Sequence, residues 1–446
     1  VLTGRYRYSR WRWRVLVCVF DLLGGGLAWL VRLVRPKLIV HSPTRILLLQ
    51  LDHLGDAVLT TPMLHALRAA YPLARIDVLA STSNRAVFES DPAVDRVIVA
   101  ERNWFERQRG AWSCTTAVLT LALGLRAQRY DLGIDVRGDV LSVILLALAG
   151  VRRRLGWSMG GGGFLLTDVA EWHAGVHEVE SRMALLRQLG IAYDALSVRV
   201  SVHVSDEDRG TVARWLRNEW TEGKASVRRR STLAVASGRN SKPSLRIEEE
   251  SPTRSAAQSP QLDDAESLHA GRFGAAAPLL VVHLGAGTSA KRWPLTHWRN
   301  LIQKFLKDGW RVVVVGGPHE ASVRLGLPPN PGLRDWTSQL SVAQTTALLE
   351  RADLFIGADS GPAHLAACAS VPSVVLFSGT NRVAQWRPWS RRSLVLKQRV
   401  SCQPCHRKIC PLADHPCLNA ISPVRVYRAA GRWWSRLHHF ESPHPC

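Results

Sequence analysis

The 446-residue chain has no apolar stretch suited to crossing a membrane. Residues 15–31, VLVCVFDLLGGGLAWLV, would span only about 26 Å as a helix at ~1.5 Å per residue. Asp21 and three consecutive glycines weaken the stretch further. It also lacks the small-residue cleavage pattern of a secretory leader, so no signal peptide is expected there. No RNP, KH, zinc-finger or helix-turn-helix pattern is present, which leaves no specific nucleic-acid reader. The acidic triplet that most resembles a metal-binding DxD, Asp206-Glu207-Asp208, follows Ser205 and reads better as a helix start with acids in its first turn. No short-period repeat is visible.

Acids are scarce at both ends. Residues 1–37 hold eight Arg and Lys against Asp21, and residues 382–438 hold twelve against Asp414, which accounts for most of the formal charge of +22. A basic surface of this kind attracts an anionic membrane or nucleic acid. The membrane is favoured, because RYRYSRWRWR interleaves Arg with aromatic rings just before the apolar stretch, as in segments lying in the headgroup layer. The rival reading is a helix packed on the protein's own surface. Residues 1–43 are accordingly read as a membrane-associating segment.

From residue 44 strands alternate with helices: RILLLQL, the helix DAVLTTPMLHALRAAY, RIDVLAS, VDRVIVA, the helix CTTAVLTLALGLRAQ and YDLGIDV. Such alternation means βαβ units and a parallel sheet, here over residues 44–221. Residues 222–278 are rich in Ser, Arg and mixed charge without apolar periodicity, and are expected to form a disordered insertion. The alternation resumes over residues 279–400, and a Cys-rich segment with a basic helix follows over 401–446. The fold class is α/β with two halves, which generally hold a ligand between them.

Three stretches carry chemistry. HLGAGTSAKRWP brings a glycine turn, Thr288, Ser289 and Lys291 to a helix start, an arrangement that suits a diphosphate. A dinucleotide fingerprint is the rival, but the acid expected at the end of the next strand is missing from VVVVGGP. IGADSGPAHLAA places Asp359, Ser360, Gly361 and His364 at a second strand-to-helix junction. LDHLGDAV places Asp52, His53 and Asp56 around a tight turn. Each of these acids has a plain reading as a helix cap. Asp56, directly after Gly55, is the better placed of them to act as a general base.

Together the LGD turn with TTP, the glycine turn running into KRWP and a helix with HW, and DSGPxHLA resemble glycosyltransferase family 9, the ADP-heptose:lipopolysaccharide heptosyltransferases. The resemblance covers about residues 44–200 and 278–425. It implies a GT-B architecture, two Rossmann-like domains facing across a cleft, and inverting, metal-independent transfer from ADP-heptose to a lipid-linked saccharide. It implies further that Asp56 is the base, that Lys291 binds the diphosphate, and that Asp359, Gly361 and His364 hold the donor. An enzyme at the inner face of the cytoplasmic membrane is the expected setting, with no cofactor required. Asp52, His53, Asp135 and Arg137 are acceptor-side candidates, along with RRRLGW (152–157) and MGGGG (159–163). Cys402, Cys405, Cys410 and Cys417 lie close enough in sequence for a structural zinc, although their spacing is not the usual paired CxxC. Reduced thiols are the favoured alternative. Another nucleotide-sugar donor, an NAD-type oxidoreductase and a non-catalytic membrane or nucleic-acid binder are the competing functions.

Overall fold

The computed structural model describes residues 11–34, 42–100, 111–194, 197–235, 277–320 and 325–441. The first half contains strands β1 (Arg45–Gln50), β2 (Arg75–Ser81), β3 (Arg96–Ala100), β4 (Leu132–Asp135), β5 (Arg153–Trp157) and β6 (Asp168–Ala170). The second contains β7 (Leu279–His283), β8 (Arg311–Val315), β9 (Leu333–Asp335), β10 (Leu354–Ala358), β11 (Ser373–Phe377) and β12 (Ser393–Lys397). They form two six-stranded sheets in the orders β3-β2-β1-β4-β5-β6 and β12-β11-β10-β7-β8-β9. Every pairing is parallel. Both faces of such sheets are covered, which is why β7, β10 and β11 are buried at every position and read as unbroken apolar runs.

The covering helices of the first half are α1 (Trp11–Val34), α2 (Leu54–Val58), α3 (Thr61–Ala70), α4 (Ala111–Arg126), α5 (Val140–Leu148), α6 (Glu178–Arg187) and α7 (Asp206–Val235). Those of the second are α8 (Leu295–Lys307), α9 (Val342–Leu349), α10 (Gly361–Cys368), α11 (Val383–Trp386), α12 (Pro416–Asn419) and α13 (Pro423–Glu441).

Three features of the fold bear on these expectations. The stretch read as one helix after Gly55 is two, α2 and α3. Pro62 has no N–H to offer the Val58 carbonyl and its ring crowds that carbonyl, so the helix restarts. The Thr61 hydroxyl donates to Val58 O instead, at 2.9 Å. Secondly, α7 continues past residue 222 as far as Val235, and residues 236–276 of the stretch expected to be disordered lie outside the described residues. Its start agrees with the sequence: Ser205 Oγ accepts the Asp208 N–H at 3.1 Å, and the acidic triplet opens the helix.

Thirdly, the apolar N-terminal stretch is a helix, α1, docked on the protein. Asp21 Oδ1 accepts the Gly162 N–H at 2.7 Å, and the Phe20 and Phe164 rings lie 5.1 Å apart. Gly161, at φ +90°, leaves room for Val17, and a side chain there would strike it. Gly161 and Gly162, within the glycine run expected to contact the acceptor, thus help seat α1. Leu16, Leu22 and Leu23 on that helix stay exposed to solvent. At the other end α13 packs on α8, with Tyr427 5.2 Å from Phe305 and Trp434 5.4 Å from Trp310.

In each sheet the strand order reverses direction at one point, between β1 and β4 and between β7 and β10. Open α/β sheets bind ligands outside the carboxyl ends of the strands flanking that point. The loops leaving those four strands are the ones the sequence singled out.

Candidate active site

Beyond β1 the chain turns through Asp52 and His53 into α2. Gln50 fixes the turn from inside, its Nε2 donating to Asp56 O at 3.1 Å and to Thr60 Oγ1 at 2.6 Å. Asn84 Nδ2 donates to the Gln50 and Asp52 carbonyls at 2.9 and 2.8 Å. Asp56 points inward. Its carboxylate meets the buried Arg182 Nη2 at 3.2 Å, and Arg182 Nη1 meets Glu178 at 3.0 Å. Burial pushes the Asp56 carboxyl up to about 7, with neighbouring Asp52 adding to the shift and Arg182 opposing it. A carboxylate poised there takes a proton near neutral pH.

The other acceptor-side candidates divide. Asp52 is half-buried and pairs with Arg137 at 2.6 Å, and His53 is exposed beside it. Asp135 is fully buried and accepts the Arg137 and Gly138 N–H groups at 3.1 and 3.0 Å, so its carboxylate holds the turn that presents Arg137. RRRLGW ends in β5 (Arg153–Trp157), an interior strand of the sheet.

Across the seam, Lys291 ends a short 3-10 turn (Ser289–Lys291), and its Nζ lies 2.8 Å from Asp359 Oδ2. Asn381 Nδ2 also donates to that oxygen, at 2.9 Å. Ser289 Oγ is spent on the Lys408 carbonyl at 3.2 Å, whereas the buried Thr288 Oγ1 has no hydrogen-bond partner among the described residues. Gly361 opens α10 because nothing larger fits: a side chain there would meet Leu54 of α2 at 2.7 Å. Ser360, the residue before it, gives its hydroxyl to Ala358 O (3.1 Å) and lies 3.0 Å from His283 Nδ1, leaving the helix start without a side-chain cap. His364 is buried against Gly55, which would clash at 2.8 Å if it carried a side chain. Burial pushes this imidazole down to about 4, against the pull of Asp359, so it is neutral near pH 7 and its Nδ1 is without a partner among the described residues. It suits a hydrogen bond to a hydroxyl better than charge pairing with a phosphate.

Asp56 and the Lys291–Asp359 pair thus stand on the facing ends of two sheets that meet where α2 packs on α10. Residues 211–415 match the family model described as glycosyltransferase family 9 (heptosyltransferase). The chain is 24% identical to lipopolysaccharide heptosyltransferase 3 of Escherichia coli over 357 residues, which are 76% of this chain and 85% of that one. The region from residue 211 to residue 415 is a glycosyltransferase family 9 domain. The structure of a family 9 glycosyl transferase from Veillonella parvula aligns at TM-score 0.63 and 19% identity, covering 90% of this chain and 99% of that chain. The E. coli ADP-heptose lps heptosyltransferase II structure aligns at 0.61 and 19%, covering 88% and 99%. The fold is the GT-B arrangement, and the protein is a glycosyltransferase.

Within this glycosyltransferase, sequence reasoning missed three site residues. Arg182 and Glu178 lie on α6 more than a hundred positions from Asp56, with no local motif to mark them. Glu320 supplies the acid thought to be missing after β8. It follows two glycines in a 3-10 turn (Pro318–Glu320), and its Oε2 lies 3.0 Å from His283 Nε2 and accepts the Gly317 N–H at 2.9 Å. Burial raises this carboxyl, but His283, the Gly317 N–H and Arg292 together hold it below its ordinary value. The available signal was the PHE turn, which stands just beyond the glycines that follow the strand.

Cys402, Cys405, Cys410 and Cys417 line one cavity, all as free thiols. Among the described residues no group of three or more His, Cys, Asp or Glu side chains is placed to hold a metal. What the loop does hold is the neighbouring turn. Lys408 O accepts the Ala290 N–H at 3.1 Å, and His415 Nε2 donates to Ala290 O at 3.1 Å. The cysteine loop therefore backs the turn that carries Lys291.

Proposed function

We propose that this enzyme moves a heptose, or a closely related sugar, from ADP-heptose to the saccharide core of lipopolysaccharide or another lipid-linked saccharide, with inversion. The observation that carries the reading is the placement of Asp56 opposite Lys291, Asp359 and His364. The acceptor hydroxyl gives its proton to Asp56 as its oxygen bonds to the anomeric carbon. The bond from that carbon to the diphosphate breaks, and ADP leaves with the electron pair. Lys291, drawn from Asp359 to the diphosphate, and the uncapped start of α10 stabilise the charge that develops on the leaving group. Glu320 is placed to receive a ribose hydroxyl, the usual role of an acid beyond the second strand of such a domain. Lys291 and the helix start supply the positive charge that a metal supplies elsewhere, and on that ground the transfer is read as metal-independent.

The heptosyltransferase relatives support lipopolysaccharide heptose transfer in general; the donor, the acceptor and the stereochemistry belong to this proposal. A peripheral position on the inner face of the cytoplasmic membrane is supported by the exposed leucines of α1 and the basic ends of the chain. Among the described residues no helix is long and apolar enough to cross a membrane.

The decisive experiment is thermal stabilisation of the protein by ADP-, UDP- and GDP-sugars and by NAD, with Lys291→Ala alongside. A ligand at a hundred times its dissociation constant adds about 2.7 kcal/mol. Stabilisation by ADP-heptose that the variant loses supports the proposal, and stabilisation by NAD or another nucleotide-sugar alone replaces the donor. The anomeric configuration of the product, read by NMR, tests inversion, and turnover in chelator tests metal independence.

A further inference from the structure

Helix α6 has two working faces. One carries Glu178 and Arg182 to Asp56. The other borders a cavity of about 380 Å³ lined by Trp157, Trp172, Tyr193 and Trp389, with Glu180 and Arg187 among its polar groups. Three tryptophans and a tyrosine gather here from positions far apart in the chain. Trp157 is buried at the end of β5, while Trp172 and Tyr193 are half-buried and Glu180 and Arg187 exposed. The Arg187 guanidinium lies over the Tyr193 ring at 5.5 Å from its centroid.

Trp389 comes from the opposite domain. Its Nε1 donates to Val198 O at 3.0 Å and its ring lies 4.6 Å from that of His177. His177 Nε2 in turn donates to Arg387 O at 2.8 Å, so the indole is held on the seam. The cavity is complete only where the two domains meet.

We propose that this cavity binds a sugar ring of the acceptor saccharide, at a position removed from the hydroxyl that reacts. The chemistry is that of a pyranose: aromatic faces receive its C–H groups, and a carboxylate with a guanidinium receives its hydroxyls. The volume falls within the range of small-molecule sites. Glu180 and exposed Glu171 at the rim disfavour a phosphate group, and the charged lining disfavours a lipid chain. The width of α6, about 10 Å for a helix, stands between the cavity and Asp56. The ring held here is therefore a further residue or branch of the acceptor, touching both domains at once. This inference rests on the reading of the acceptor as a saccharide.

The test uses the full chain, a lipid-free core oligosaccharide and the same oligosaccharide shortened from its far end, with Trp172→Ala and the conservative Glu180→Gln. With ADP-heptose as donor, each variant raises KM for the long oligosaccharide about tenfold, leaves kcat and the donor KM in place, and leaves the short one unchanged. Calorimetric titration of the long oligosaccharide into donor-free protein shows the same loss of affinity. Equal KM and affinity in wild type and variants, or an equal loss for long and short forms, overturns the site. If no sugar nucleotide is turned over but both variants lose oligosaccharide binding, the donor reading fails and the cavity stands. If turnover is normal and neither variant changes binding, the cavity fails and the transferase stands.

Discussion

Beyond β1 the first domain presents carboxylates held by arginines, Asp52 by Arg137 and Asp56 by Arg182. Beyond β7 and β10 the second domain presents a lysine held by a carboxylate, with an uncapped helix start beside it. The two sheets share one strand order, so the backbone does not distinguish proton acceptor from anion binder. The difference lies in which charge sits outermost in the pairs built on Asp56 and Lys291. In the first domain Arg182 is the more buried partner, at 2% exposed against 15% for Asp56. In the second the acid is the buried partner, and the lysine is the more exposed member, at 21% against 6%.

The comparison is tested hardest at Asp56. Asp56→Asn is expected to lower kcat by 10²–10⁴, roughly the worth of a general base, with the donor affinity measured by calorimetry unchanged. A variant that kept its rate would assign the proton to another group. In the wild type, activity is expected to rise with pH through about 7, because the base works only when ionised and burial holds its proton up to that value. A rate that is flat from pH 5 to 9 would contradict this.

Lys291→Met probes the opposite tip. A loss of about 10²–10³ in kcat/KM is expected if the lysine stabilises the leaving diphosphate, with the pH profile left in place. If the profile moved instead, the two tips would share one electrostatic unit and the contrast would dissolve.

Arg182→Met sharpens the first half of the contrast. It leaves Asp56 and Glu178 facing each other, and loss of one partner from a buried pair costs about 3–5 kcal/mol. Arg182 lowers the Asp56 carboxyl, so the acid limb of the pH profile is expected to shift upward; denaturant titration and the profile read the two effects separately.

Gly55→Ala has the smallest expected effect. The new methyl meets the His364 ring across the seam at 2.8 Å, and overpacking of this kind costs about 1–3 kcal/mol. Both KM values should rise with little change in the pH profile, because the seam is disturbed and the charge pairs are not.

Much of this was legible in the chain. Unbroken apolar strands alternating with amphipathic helices specify a parallel sheet, since only strands covered on both faces can be apolar at every position. The glycine, serine, lysine and acid at the strand exits marked the tips, because loops there need backbone freedom and polar ends. Asp56, Lys291, Asp359 and His364 stand out in this way. The failures have a common cause. Asp135 and Asp56 look alike in sequence, each a carboxylate at a strand exit, and burial raises both to about 7. Only the fold shows that Asp135 is enclosed by its own turn while Asp56 meets an arginine brought from α6. The glycines of 159–163 read as acceptor contacts, whereas the fold sets Gly161 against Val17 of α1 and the Gly162 N–H on Asp21.

The sequence alone determined the two βαβ halves, the positions of their tips and the residue types offered there, because periodicity and turn chemistry are local. Tertiary structure decided which carboxylate is open, which cation opposes it, that Glu320 meets His283 beyond the second strand, and that an aromatic cavity closes on the seam. Burial and charge pairing depend on groups far apart in the chain, and they acquire partners only when the two sheets meet.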